Sequence, residues 1–119
     1  VSELKKAFPD AVLTAVGTND SATENMRKKG ADRAATGENA VIVACRKADV
    51  ILGPLGIAVV DSLMGEITPA MANAVAASSA YRVLIPMNLC DTYVAGVSGN
   101  STQIIDDAVS HIKSLLKKD

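Results

Sequence analysis

The chain has 119 residues, 12 basic and 13 acidic side chains and a formal net charge of −1, which is one domain's worth of sequence and too little for two hydrophobic cores. With no excess positive charge and only Phe8, Tyr81 and Tyr93 as aromatics, it offers neither the basic field nor the stacking surfaces that nucleic acids require. Hydrophobic residues make up 49% of the chain and are mostly alanine and branched aliphatics, so the expectation is a single α/β domain over 1–119 with an aliphatic core.

Val1 to Phe8 reads as two turns of amphipathic helix, with Val1, Leu4 and Phe8 on one face and Lys5 and Lys6 towards the carboxyl end. The chain therefore opens inside an element, and it opens without methionine. Pro9-Asp10 marks a turn and Ala11–Val16 a short buried strand. Ser21 with Glu24 matches a capping box, which predicts a helix from about Ala22 to Lys29, closed by Gly30 and supported by a Glu24–Lys28 pair. Ala31–Ala35 is a short strand candidate. Thr36-Gly37-Glu38-Asn39 caps a helix running to about Lys47, although Val41-Ile42-Val43 has the β-branching of a strand. Asp49–Leu52 is a second buried strand ending in the turn Gly53-Pro54-Leu55-Gly56, and Ile57–Met64 has no clear period.

Thr68-Pro69 opens a helix through about Ser78, because threonine caps well and proline belongs in a first turn. Arg82–Ile85 gives a third buried strand and Tyr93–Val97 an edge strand. The last helix is capped by Ser101, with Asp106 and Asp107 early and Lys113, Lys117 and Lys118 late. Its apolar stripe runs through Ile104, Ile105, Ala108, Val109, Ile112, Leu115 and Leu116. The longest apolar stretch, Ile57–Ala77, is broken by Asp61, Gly65, Glu66, Pro69 and Asn73, so no membrane span is expected. Sparse cysteine, Cys45 and Cys90 alone, suits a reducing compartment, and the expected location is the cytoplasm.

Three apolar runs end abruptly in small or turn-forming residues: Ala11–Val16 into Gly17-Thr18-Asn19-Asp20, Val50–Leu52 into Gly53-Pro54-Leu55-Gly56, and Val83–Ile85 into Pro86-Met87-Asn88-Leu89-Cys90. An open α/β sheet produces this pattern when its strands empty onto one shared edge, where such sheets keep their ligand.

At Gly17-Thr18-Asn19, Ala35–Ala40, Gly53–Ile57 and Gly65–Met71 the sequence resembles a bacterial family of small proteins catalogued as a domain of unknown function, numbered thirty-eight forty-two. The resemblance runs over essentially the whole chain. It implies a three-layer, mostly parallel, doubly wound sheet of the Rossmann-like kind, and a nucleotide as the ligand class. It also implies an additional strand and a glycine-rich loop ahead of Val1, so that the sheet of this chain would lack its first strand. The family has no established activity, and no reaction is implied.

The candidate ligand residues follow from the strand ends. Gly17, Thr18, Asn19 and Ser21 lie where dinucleotide-binding folds contact the adenosine ribose, and their neutral donors suit a phosphorylated group; a turn and a helix cap would use the same residues. Gly53, Pro54 and Gly56 floor a cleft or make a tight strand exit. Thr36, Glu38 and Asn39 at one helix start, and Glu66 and Thr68 at another, orient an anion or a proton donor, or simply cap. Glu66 is the carboxylate best suited to acid–base work, since burial among its apolar neighbours would raise its pKa.

Asn88 and Cys90 sit beyond the third strand. Cys90 lacks a base, because the sole histidine, His111, belongs to the last helix in a structural or solvent-facing role. Cys45 is expected in the core. One histidine and two distant cysteines give no metal-ligand spacing.

The leading expectation is a nucleotide- or dinucleotide-binding protein, with NAD or NADP as cofactor and a small oxidoreductase as its enzymatic form. The alternative is a non-catalytic interaction or regulatory subunit: the small-residue surface Ala70, Ala72, Ala74, Ala76, Ala77 and Ala80, with Met71 and Val75 and joined to Ile57–Met64, either packs tightly on the sheet or leaves a patch that a second subunit covers in a homodimer. A phosphosugar enzyme using Glu66 would share the same cleft.

Overall fold

Strands and helices alternate along the chain because short β-branched or alanine-rich runs are separated by amphipathic segments with their own start signals. A computed structural model describes residues 1–87 and 92–116. It contains α1 (Ser2–Ala7), β1 (Thr14–Gly17), α2 (Asp20–Lys28), β2 (Arg33–Thr36), α3 (Glu38–Lys47), β3 (Val50–Pro54), a 3-10 turn (Leu55–Ala58), α4 (Pro69–Ala77), β4 (Tyr81–Ile85) and α5 (Ser101–Leu116). The molecule is thus a mixed α/β structure built on parallel strands.

The strands form two separate two-stranded sheets, β1 with β2 and β3 with β4. In the first pair the Leu13 carbonyl accepts from the Arg33 amide and the Gly17 carbonyl from the Gly37 amide. A parallel ladder alternates its hydrogen bonds along the strand, so Leu13, Ala15 and Gly17 face β2, while the backbone groups of Thr14 and Val16 face the other way. In the second pair the Tyr81 amide donates to Asp49, which turns Asp49, Ile51 and Gly53 towards β4 and Val50, Leu52 and Pro54 away from it. Pro54, which has no N–H, thereby ends β3 without removing a ladder bond.

Helices tie the two pairs together. α2 packs on β1 and β2, α3 packs on α4 and touches β1 and β2, and α5 packs on β4 and meets α1. The buried hydrophobic residues among those described are Ala15, Cys45, Ile67, Met71, Ala72, Val75, Ala80, Ile85, Ala108 and Ile112, an aliphatic and sulfur-containing core as the composition requires. Ile67, Met71 and Ala72 form its centre, with Val41, Ile57 and Leu63 packed against them.

Several element starts differ from the sequence expectation. Asn19 caps α2, its side chain accepting from the Ala22 amide at 2.9 Å, so the helix begins two residues earlier than a Ser21 cap would place it. Glu24 then pairs with Arg27 and not Lys28, with the Arg27 Nε at 2.9 Å; the nearer i,i+3 partner brings a planar donor fork. α3 is capped by Gly37 at φ 103° without a side-chain bond, and Thr36 is left to other contacts. Asn100 and Gln103 exchange two 2.9 Å bonds at the start of α5, a reciprocal cap that makes Ser101 the first helical residue rather than the cap.

Thr68 behaves as expected: its hydroxyl accepts from the Met71 amide at 3.2 Å and Pro69 occupies the first turn. β1 starts at Thr14 rather than Ala11, because its pairing partner β2 starts only at Arg33. Tyr93–Val97 forms no strand. It pairs with no neighbour among the described residues, and Gly96 at φ 81° interrupts any extended run.

Candidate functional site

The ends of β1 and β2 and the residues before α4 meet in one exposed polar cluster. Gly17 closes β1 where α2 passes close by: a Cβ at this position would lie 2.3 Å from the Thr23 hydroxyl oxygen and 2.7 Å from the Thr23 backbone nitrogen. Only glycine accepts that approach, which brings the first turn of α2 against the strand exit. The Thr23 hydroxyl sits 2.7 Å from the Thr36 hydroxyl, tying the first turns of α2 to the end of β2.

Beyond Gly17, Thr18 and Asn19 turn towards the loop that precedes α4. The Thr18 hydroxyl donates to Glu66 Oε1 at 3.2 Å and Asn19 Nδ2 donates to Glu66 Oε2 at 3.1 Å. The Thr68 hydroxyl donates to Glu38 Oε2 at 2.6 Å. Two carboxylates therefore connect the β1–β2 pair to the segment between β3 and α4. Their helices α2, α3 and α4 begin at Asp20, Glu38 and Pro69, within or beside the cluster.

The segment between β3 and α4 holds its shape at a conformational cost. Asp61, Leu63 and Met64 adopt φ values of 64°, 54° and 57°, the left-handed region that branched and bulky side chains avoid. The Ser62 hydroxyl donates to the Gly56 carbonyl, the Asp61 amide donates to the Ile67 carbonyl at 2.7 Å, and Ile67 is buried in the core. These bonds deliver Glu66 to the end of β1.

Glu66 itself is exposed, so the burial that would have suited it to acid–base work does not act on it. Gly53 and Pro54 are the last residues of β3 and Gly56 lies in the 3-10 turn, and no hydrogen bond among the described residues joins them to the cluster. Ser21 is exposed on the first turn of α2. Asn88 and Cys90 lie outside the described residues. Cys45 is buried in α3, and desolvation pushes its thiol pKa up, away from nucleophilic use. His111 is exposed, its Nε2 3.0 Å from the Tyr81 hydroxyl, and it takes no part in the cluster.

Among the described residues no group of three or more His, Cys, Asp or Glu is placed to hold a metal ion, and no helix is long and apolar enough to cross a membrane. A groove between α3 and α4, lined by Ile42, Cys45, Arg46, Ala70, Asn73 and Ala77 among others, lies on small side chains apart from the polar cluster.

Comparison with known families decides the chain's kinship. A family model described as a domain of unknown function, DUF3842, matches residues 1–117. The chain belongs to that family. The match spans every strand and helix described above, so the polar cluster of this DUF3842 member lies wholly inside the matched region. No curated protein and no solved structure matches the chain.

Proposed function

We propose that this DUF3842 member binds a nucleotide or dinucleotide at the carboxyl ends of its strands, as a Rossmann-like α/β protein, with a nicotinamide dinucleotide as the ligand to test first. The observation that carries the reading is the convergence of Thr18, Asn19, Thr36, Glu38, Glu66 and Thr68 beside the starts of α2, α3 and α4. Parallel α/β folds bind ligands at such strand ends. Free amides and helix dipoles there favour the phosphates of a nucleotide, and fixed side-chain acceptors favour its sugar hydroxyls.

Calorimetric titration with NAD+ and NADP+, with amide exchange read in parallel, tests this. At about 1 mM ligand even a binding free energy of about −4 kcal/mol half-saturates a site, so heat of binding and slower exchange over Gly17–Ser21 are the expected results. No heat and unchanged exchange at that concentration overturn the reading.

A second reading, a homodimeric interaction subunit, draws on different residues. Ala70, Asn73, Ala76 and Ala77 leave one side of α4 exposed, and the exposed Val59, Val60 and Met64 precede it.

A further inference from the structure

We infer that the paired helices α3 and α4 form a two-fold interface with a second copy of this chain, in which Glu38 of each copy meets Arg46 of the other; the inference rests on the homodimer reading above and gives it a geometry. The two helices lie side by side and run the same way. The Thr68 hydroxyl that caps α4 donates to Glu38 at the start of α3 at 2.6 Å, and the Ser78 hydroxyl just past α4 donates to the Cys45 carbonyl near the end of α3 at 2.7 Å. Between them the groove lined by Ile42, Arg46, Asn73 and Ala77 measures about 530 Å³.

The chemistry of this face is arranged for a copy of itself. Glu38, Ile42 and Arg46 follow at four-residue spacing, so they lie on one side of α3, the acid and the base each about 6 Å along the helix from Ile42. Both charged residues are exposed, and neither takes part in an ion pair among the described residues. Asn73 is the middle residue of α4, four positions from Pro69 and four from Ala77, and it is exposed in the groove. Its amide carries both donors and an acceptor, so it can pair with another of its own kind.

A two-fold axis lying across the helices at Ile42 and Asn73 reverses the direction of the second copy. At the shallow crossing angle of helix bundles, about 20°, this sets Glu38 against Arg46 at two symmetric contacts and Asn73 against Asn73 between them. It also opposes the macrodipoles of the two helix pairs. An isologous contact requires such self-complementarity, and an unrelated partner does not. The small side chains of Ala70, Ala74 and Ala77 on the groove let the two layers approach. With two short helices from each copy, the interface falls at the weak, exchanging end of the size range.

Sedimentation equilibrium over a concentration series tests this on wild type, Glu38→Lys, Arg46→Glu and an equimolar mixture of the two variants. Each variant alone confronts like charges at both contacts, whereas the mixed dimer regains opposite charges at both. The dissociation constant should rise roughly tenfold or more in each variant and return towards the wild-type value in the mixture. Recovery on mixing separates lost pairing from lost folding. Asn73→Asp, nearly isosteric and exposed, should weaken the dimer in the same direction by placing two carboxylates across the axis. A wild-type dimer untouched by these substitutions, or weakened by the charge reversals without recovery on mixing, overturns this interface and leaves the homodimer reading in place. A wild type that stays monomeric throughout the series removes both.

Discussion

Asp32 illustrates how much one exposed side chain organises at the start of β1. Its Oδ2 accepts the Leu13 amide at 2.8 Å, and Lys5 Nζ sits 2.9 Å from both carboxylate oxygens. The Leu13 amide first, and Lys5 after it, hold the Asp32 carboxyl below the usual carboxylate range. Because the folded pKa is depressed, the contribution is fully present above the ordinary aspartate value of about 3.9 and fades as pH falls through the lower folded value. Asp32→Asn should therefore melt at a lower temperature than wild type at pH 7, and the two should converge as the pH falls below that value. A difference in melting temperature that persists undiminished in acid would show that the ionised carboxylate is not the cause. None of this was legible in the sequence, since Asp32 lies 19 and 27 residues from its two partners. The same holds at the candidate site: Glu66, Thr18 and Asn19 each stand out by residue type and local setting, but their pairing exists only once the chain has folded.

Elements whose signals are local were readable, and those that depend on a distant partner were not. Thr68-Pro69 predicts the start of α4 because cap and proline act within one turn, and the apolar stripe of α5 places Ala108 and Ile112 in the core, where the structure buries them. Tyr93–Val97 has strand composition, but a strand needs a neighbour to pair with, and composition does not supply one. The same dependence governs the sheets. Thr14 and Val16 on β1, and Val50 and Leu52 on β3, direct their amides away from the strands they pair with among the described residues. Backbone groups left without a partner must be solvated or covered. Amide exchange should therefore be slow at Ala15, Gly17, Ile51 and Gly53, whose amides donate into the ladders, and faster at Thr14, Val16, Val50 and Leu52. Equal protection on both sides of β1 and β3 would mean that another segment pairs with the outer edges. The outcome bears on function, because the end of β1 carries the donors that hold Glu66.

At the scale of the molecule, the two readings of function make separable demands on the surface. Nucleotide binding uses the polar ends of the strands, whereas assembly needs apolar area. α4 has nine residues, about 14 Å of helix roughly 10 Å across, which falls well short of the ~800 Å² per partner that a stable interface buries. A dimer must then recruit further apolar surface, and the exposed Val59, Val60 and Met64 stand immediately before α4 in the chain. With a net charge of only −1, overall repulsion does little to oppose such pairing. Ala77→Lys tests the face directly. Ala77 is exposed and is the last residue of α4, where a cation is favourable to the helix dipole, so the substitution charges the face without weakening the helix. In sedimentation equilibrium the wild type should be dimeric and Ala77→Lys monomeric, with the two proteins melting alike at equal dilution below the dimer's dissociation constant. A wild type that sediments as a monomer at its highest soluble concentration ends the assembly reading. A dimer untouched by Ala77→Lys moves the interface away from α4 and leaves its exposed alanines as ordinary surface.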